Sequence, residues 1–331
     1  MDRGGEFLTT EAARPETLER RKIMERRTIS FISQGLICRG WLYLPEGGGP
    51  GRPRPGIVMA HGFSCVKEMF LPAYAERFCG AGFVTLVFDY RFLGESEGQP
   101  RGQILPEEQI EDYRNALSWL SLQGEVDPSR LAVWGTSYSG GHVLYVAAFD
   151  RRVKAVVAQV PGVGVWPFLL ESLGLEAVHG ICGRMTEDRL RRYRTQTETF
   201  LPVVAPPGQP AALGSPDASA FFQQPTPGAA STWINQVTVR SMERLIEYHP
   251  ADAVELISPT PLLLVAAEHD TLIPLAAVRK VFERAGEPKR LVVLPCRHFE
   301  VYPDGPFRRQ ALDEEAAWFE THLLGEVANR G

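Results

Sequence analysis

Ser137, His298 and Asp270 have the residue types and the surroundings that nucleophilic acyl chemistry requires. A serine hydroxyl is a poor nucleophile at neutral pH and needs an adjacent base, itself oriented by a third group. Ser137 stands in Gly135-Thr136-Ser137-Tyr138-Ser139-Gly140-Gly141, between the apolar run Leu131–Trp134 and an apolar helical stretch, His142–Phe149. A sharp strand-to-helix turn exposes such a hydroxyl above a sheet, and its strained backbone demands small residues two before and two after. Gly135 meets the first demand. Ser139 stands at the second position, where glycine is usual, and is still small.

The base and its orienting acid come from the C-terminal third. His298 follows the run Leu291–Leu294 and Asp270 follows Leu262–Ala266. Both lie beyond the carboxyl ends of expected strands, where open α/β sheets place their sites. The order Ser…Asp…His is the one such a turn calls for. Glu268 and His269 are the nearest rivals of Asp270. His142 and His322 sit on helices and read as structural, while His179 and His249 are left as candidates for touching substrate. Acyl transfer also needs donors for the oxygen that becomes negative. The backbone N–H of Tyr138 and that of Phe63, in His61-Gly62-Phe63-Ser64, are the expected pair. His61 is expected to hold its loop by side-chain hydrogen bonds.

The elements that must position these groups alternate in a simple rhythm. Gly56–Ala60, Phe83–Phe88, Leu131–Trp134, Val153–Val160, Leu262–Ala266 and Leu291–Leu294 are continuously apolar, and helical spacings lie between them. Ile110, Tyr113, Leu117 and Leu120 form one apolar stripe behind Pro106-Glu107-Glu108, acids that suit a helix N-terminus. Such alternation predicts an α/β fold, a parallel sheet covered on both faces. Two β-rich runs, Thr28–Ile32 and Leu36–Leu44, precede it around a Gln-Gly turn. The rhythm breaks over 161–257, which is Pro-rich and carries Trp166, Phe168, Phe221, Phe222 and Trp233. The expected organisation is a lead-in over 1–27, one core domain over 28–160 and 258–331, and a cap inserted over 161–257.

Composition sets bounds. The chain has 331 residues, 35 basic against 40 acidic, for a net charge of −5, which offers no general field for nucleic acid. The run Arg189, Arg191, Arg192, Arg194 reads as a solvated helix face. No stretch approaches the roughly 20 apolar residues a membrane span needs, and no secretory signal is evident. Five scattered cysteines without a CxxC pair argue against a disulfide framework or a zinc site. A cytoplasmic protein is expected, with no metal or organic cofactor; a homodimer is left open.

The segments HGFSCVKEMFLPAYAERF (61–78), FDYRFLGESEGQPR (88–101), QIEDYRNALSWL (109–120), VDPSRLAVWGTSYSGGHVL (126–144), SPTPLLLVAAEHDTLIP (258–274) and RHFEVY (297–302) resemble those of α/β-hydrolases over residues 28–325. The resemblance is to the polyketide-transferase-like branch, related to dienelactone hydrolases and X-prolyl-peptidase-type esterases. It implies an eight-stranded, mostly parallel sheet, a helical lid, and a triad that falls on Ser137, Asp270 and His298. Two positions depart from the pattern. Arg297 precedes the histidine where glycine is usual, and Phe92 replaces the glycine usual after Asp89-Tyr90-Arg91.

The expected reaction is hydrolysis of a carboxylic ester, thioester or lactone through an acyl-enzyme on Ser137. The aromatic cap points to an apolar, acyl-bearing small molecule. The same triad serves an acyltransferase or cyclase acting on a polyketide-like product, or a C–C bond hydrolase. A non-covalent cyclase or ligand-binding protein is the rival from another class.

Overall fold

The computed structural model describes residues 24–224 and 232–325. In chain order the described elements are β1 (Glu25–Ser33), β2 (Leu36–Leu44), β3 (Arg54–Ala60), α1 (Leu71–Gly80), β4 (Val84–Phe88), α2 (Pro106–Ser121), β5 (Val126–Thr136), α3 (Tyr138–Phe149) and β6 (Val153–Gln159). There follow α4 (Trp166–Leu173), α5 (Leu175–Thr195), β7 (Phe200–Leu201), α6 (Pro216–Phe222), β8 (Val237–Thr238) and α7 (Val239–Glu247). The chain then returns through β9 (Leu262–Ala267), α8 (Leu275–Arg284), β10 (Lys289–Leu294) and α9 (Pro306–Phe319).

Eight strands form one sheet in the order β1-β2-β4-β3-β5-β6-β9-β10. The pairs β1/β2 and β2/β4 are antiparallel and all the others parallel. The Gln-Gly turn closes β1 on β2 with positive φ at both Gln34 and Gly35, as a two-residue hairpin loop requires. The first strand begins at Glu25, earlier than the expected 28, because Glu25–Arg27 pair in register with Leu42–Leu44. The rest of the expected lead-in, residues 1–23, lies outside the described residues.

Every residue of β4 and β9 is buried, which is why these strands read as unbroken apolar runs. Helices cover both faces. On one, Trp134 of β5 packs on Tyr74 and Phe78 of α1 and donates to Glu315 of α9. On the other, Gly56, whose parity along the β3/β5 register is opposite, faces Leu120 of α2.

Between β6 and β9 the chain leaves the sheet. Helices α4 and α5 bury none of their residues, whereas α6 buries Ala218, Phe221 and Phe222. The arginine run on α5 is not simply solvated. Arg189 and Arg192 both bond Glu243 of α7, and Arg191 and Arg192 pair with Asp188. Among the described residues all five cysteines are free, with Cys182 alone exposed. No described helix is long and apolar enough to cross a membrane.

Candidate active site

The β5–α3 turn holds Ser137 at φ 54° and ψ −118°, a conformation that costs an L-residue energy and persists only where the surroundings enforce it. They do so from three sides. The Ser137 amide donates to the Gln159 carbonyl at 2.9 Å, and the Gly162 amide donates to the Ser137 carbonyl at 2.8 Å. A Cβ at Gly135 would stand 2.2 Å from the Ser139 carbonyl oxygen, and one at Gly141 2.3 Å from that of Gly162. Glycine is obligatory at both. The Ser139 hydroxyl accepts from Tyr90 and donates to the His61 carbonyl. The serine that departs from the glycine pattern thus staples the turn to the loop after β3.

His298 opens a short 3₁₀ turn, His298–Val301, after β10. It is buried, with Nε2 3.0 Å from Ser137 Oγ and Nδ1 2.7 Å from Asp270 Oδ2. The carboxylate oxygen can only accept, so Nδ1 carries the proton and Nε2 faces the hydroxyl as acceptor. The other oxygen of Asp270 accepts from the amides of Leu272 and Ile273, each at 2.8 Å. These contacts fix the carboxylate in the turn after β9. Glu268 and His269 are exposed, and His322 lies on the C-terminal turn beside Trp318. The structure therefore brings together the three residues named from sequence and leaves their rivals outside.

Tyr138 is the first residue of α3, so its amide has no acceptor within the helix and lies at the positive end of the helix dipole. The loop carrying Phe63 abuts the same point: the Cβ position of Gly62 is 3.0 Å from Ser137 Cβ and 3.5 Å from its Oγ. The rings of Phe63 and Tyr138 meet edge to face at 5.8 Å. His61 is fully buried. Its Nδ1 lies 3.1 Å from the Gly62 carbonyl, and its Nε2 is 3.6 Å from Asp89 with no closer partner among the described residues. Burial pushes its pKa down to about 4, so it is a neutral scaffold at neutral pH. His142 is likewise buried, bonded to Gln109 and Tyr248 and pushed down to about 3. His179 is exposed, and His249 packs on Trp166.

A cavity opens over Ser137 and His298. Its apolar lining includes Met69, Leu71, Leu213, Phe221, Phe222 and Phe299, and no carboxylate, lysine or arginine among the described residues lines it. Cys65 also reaches it, but burial pushes that thiol up to about 12, which removes it as a competing nucleophile. Sequence reasoning noted Phe221 and Phe222 only as cap aromatics; what places them here is their packing. Phe221 stacks on Phe299 at 4.7 Å, directly after the histidine.

The two departures have visible consequences. Arg297 donates from its backbone to Glu300 and from its guanidinium to Asp217 of α6 at 3.4 Å. It therefore bridges the histidine turn to the inserted segment, which glycine could not do. Phe92 adopts φ 71°, a conformation glycine would take freely, and its ring fills the space beside Gly98.

Behind the loop after β3 lies a buried charge cluster that sequence reasoning did not find. Lys67 Nζ bonds Glu68 at 2.7 Å, Asp89 at 2.8 Å and Glu95 at 2.6 Å. The three carboxylates would suit a cation by spacing; the Lys67 ammonium itself bonds all three.

A doubly covered, mostly parallel eight-stranded sheet with a serine on a strained turn after its fifth strand defines an α/β-hydrolase. Residues 41–300 match the family model of X-Pro dipeptidyl-peptidases (S15 family), and the chain belongs to that family. It is 34% identical over 280 residues to a polyketide transferase of Stachybotrys chlorohalonatus, covering 82% of this chain and 89% of the relative. It is 32% identical over 312 residues to the thiohydrolase aneE of Aspergillus aculeatus, covering 91% and 94%. The solved structure of the alpha/beta hydrolase GrgF from Penicillium is similar at a TM-score of 0.74 and 27% identity, covering 91% of this chain and 99% of that one.

Proposed function

We propose that this enzyme of the α/β-hydrolase class cleaves a carboxylic ester, thioester or lactone through an acyl-enzyme on Ser137. The observation that carries the reading is the relay from Ser137 Oγ through His298 to Asp270, at 3.0 and 2.7 Å, opening into an apolar cavity. His298 Nε2 takes the hydroxyl proton as Oγ attacks the acyl carbon, then returns it to the leaving group. Asp270 holds the imidazole tautomer and stabilises the imidazolium. The amides of Phe63 and Tyr138 receive the oxyanion. A water, activated by the same histidine, then releases the acid.

The cavity supports an acyl-bearing small molecule over a peptide. A dipeptidyl-peptidase substrate would bring its N-terminal ammonium to the site, and among the described residues no acidic side chain lines this cavity to receive one. Burying such a charge unpaired is costly. Segment 161–257 serves as the cap in this reading, with α6 supplying Phe221 and Phe222 to the acyl wall.

The test is labelling by a fluorophosphonate probe together with turnover of a panel of p-nitrophenyl esters and acyl thioesters. Wild type is expected to label and turn over, and Ser137→Ala to lose both, with at least a ~10³-fold fall in kcat/KM. Wild type that neither labels nor cleaves any acyl donor would overturn the proposal. Adding alcohols or amines as competing acceptors identifies where the acyl group goes.

A further inference from the structure

Trp233, in the segment between β6 and β9, is distant in sequence from every group of the relay, yet it touches the loop that carries Phe63. Its indole N–H donates to the Ser64 carbonyl at 2.9 Å. Ser64 is buried and held at φ 55°, inside a tight turn closed by the Cys65 amide on the Gly62 carbonyl at 3.2 Å. The amide of Phe63 lies within that turn. On its other side the indole stacks on Phe222, with centroids 5.3 Å apart and planes at 22°. Phe222 is part of the acyl wall.

We propose that Trp233 is a positioning residue for the oxyanion loop, coupling the apolar acyl wall to the aim of the Phe63 amide. This role rests on the proposed acyl-transfer reading of the site. The Ser64 carbonyl and the Cys65 amide share one peptide plane, and the Gly62 carbonyl and the Phe63 amide share another. The Cys65–Gly62 hydrogen bond joins those two planes across the turn, and the indole N–H anchors the first of them from outside it. An oxyanion donor contributes only when aimed at the place where charge develops, and small misplacements there lower the rate more than the affinity. The stack on Phe222 makes this support dependent on the wall that the acyl group presses against.

The test compares wild type with Trp233→Phe, and with the protein carrying 3-benzothienylalanine at 233, which keeps the bicyclic shape and lacks the N–H. Both are expected to lower kcat on a p-nitrophenyl ester about 10-fold with KM within twofold, and to slow fluorophosphonate labelling by the same factor. The pH dependence of kcat/KM should keep its midpoint, because the histidine is untouched. Trp233→Phe can fail by loss of folding; the benzothienyl protein, matched in shape, then decides alone. A benzothienyl protein with wild-type kcat and labelling rate overturns the proposal and leaves only packing for Trp233. Failure of wild type to label at all would instead sink the acyl-transfer reading beneath it, so the two failures are distinguishable.

Discussion

Asp270 divides its two carboxylate oxygens between two tasks: Oδ2 meets the His298 ring at 2.7 Å, and Oδ1 takes the amides of Leu272 and Ile273. The imidazole is thus oriented by a group that is itself clamped to the backbone after β9. An asparagine at 270 could keep the backbone bonds and still present an amide N–H to Nδ1, which favours the wrong tautomer. Asp270→Asn is expected to lower kcat by about 10³–10⁴-fold with little change in KM and no loss of folding. Steady-state kinetics on an ester that wild type turns over, with thermal melts alongside, is the check; a kcat within tenfold of wild type would contradict the assigned role.

Gly135 has no room for a methyl group, since its Cβ would lie 2.2 Å from the Ser139 oxygen and 2.6 Å from the Ser139 carbonyl carbon. Both neighbours are backbone and cannot swing aside. Gly135→Ala is expected to distort the turn, abolish fluorophosphonate labelling and destabilise the fold by about 3 kcal/mol or more. Gly51→Ala, where nothing lies within 4 Å, serves as the control. Equal labelling of the two variants would show that the turn tolerates a side chain.

Lys67 carries a fully buried ammonium among three carboxylates, of which Asp89 is also fully buried. Its backbone amide bonds Asp89 as well, at 2.7 Å. Lys67→Met removes the positive partner and strands the acid, whose carboxyl burial already pushes up. A loss of about 3–5 kcal/mol is expected in urea unfolding at pH 7, and it should shrink at lower pH as the stranded acid takes up a proton. A loss below 1 kcal/mol would mean that the cluster rearranges around water.

Two histidines give the fold an acid limit. His61 and His142 are buried and neutral, with pKa values pushed down to about 4 and about 3. Between those values and about 6.5 the unfolded chain binds protons that the folded chain refuses, so stability rises with pH there. It is fully present above about 6.5 and is lost as the pH falls toward 4, on the order of 3 kcal/mol for His61 alone. Urea unfolding across pH 4–7.5 measures this, and His142→Gln should flatten the slope by up to one proton. An unchanged slope would mean that His142 titrates normally in the fold.

Much of the site was legible because its members sit where strand periodicity stops. LAVW and LLLVA are buried on both faces and LVVL, in the edge strand, on one, so their apolar runs announced strands, and the polar residues just beyond them fell at one edge of the sheet. Gly135 and Ser139 were legible for the same reason, since a sharp turn leaves only small residues as solutions. The Trp233–Ser64 bond and the Phe221–Phe299 stack were not. Both join segments without local periodicity across 169 and 78 residues of chain, and nothing in the spacing of aromatics says which neighbour each will meet. Nothing local marks Lys67 as buried, because burial of a charge depends on partners at Asp89 and Glu95 that only folding assembles. The α5 arginines do lie on an unburied helix, but the partner of Arg189 and Arg192, Glu243, belongs to α7 and could not be named from local spacing.

The amide of Gly162 that grips the Ser137 carbonyl lies only three residues past the end of β6. Pro161 is wedged against the same helix, with its Cα 2.7 Å from where a Cβ on Gly140 would stand. The first two residues of the excursion are therefore fastened to the sheet domain, whatever the remainder does. Anyone transplanting this excursion between homologues should cut downstream of Gly162, for a graft joined earlier would replace the very peptide that keeps the serine upright.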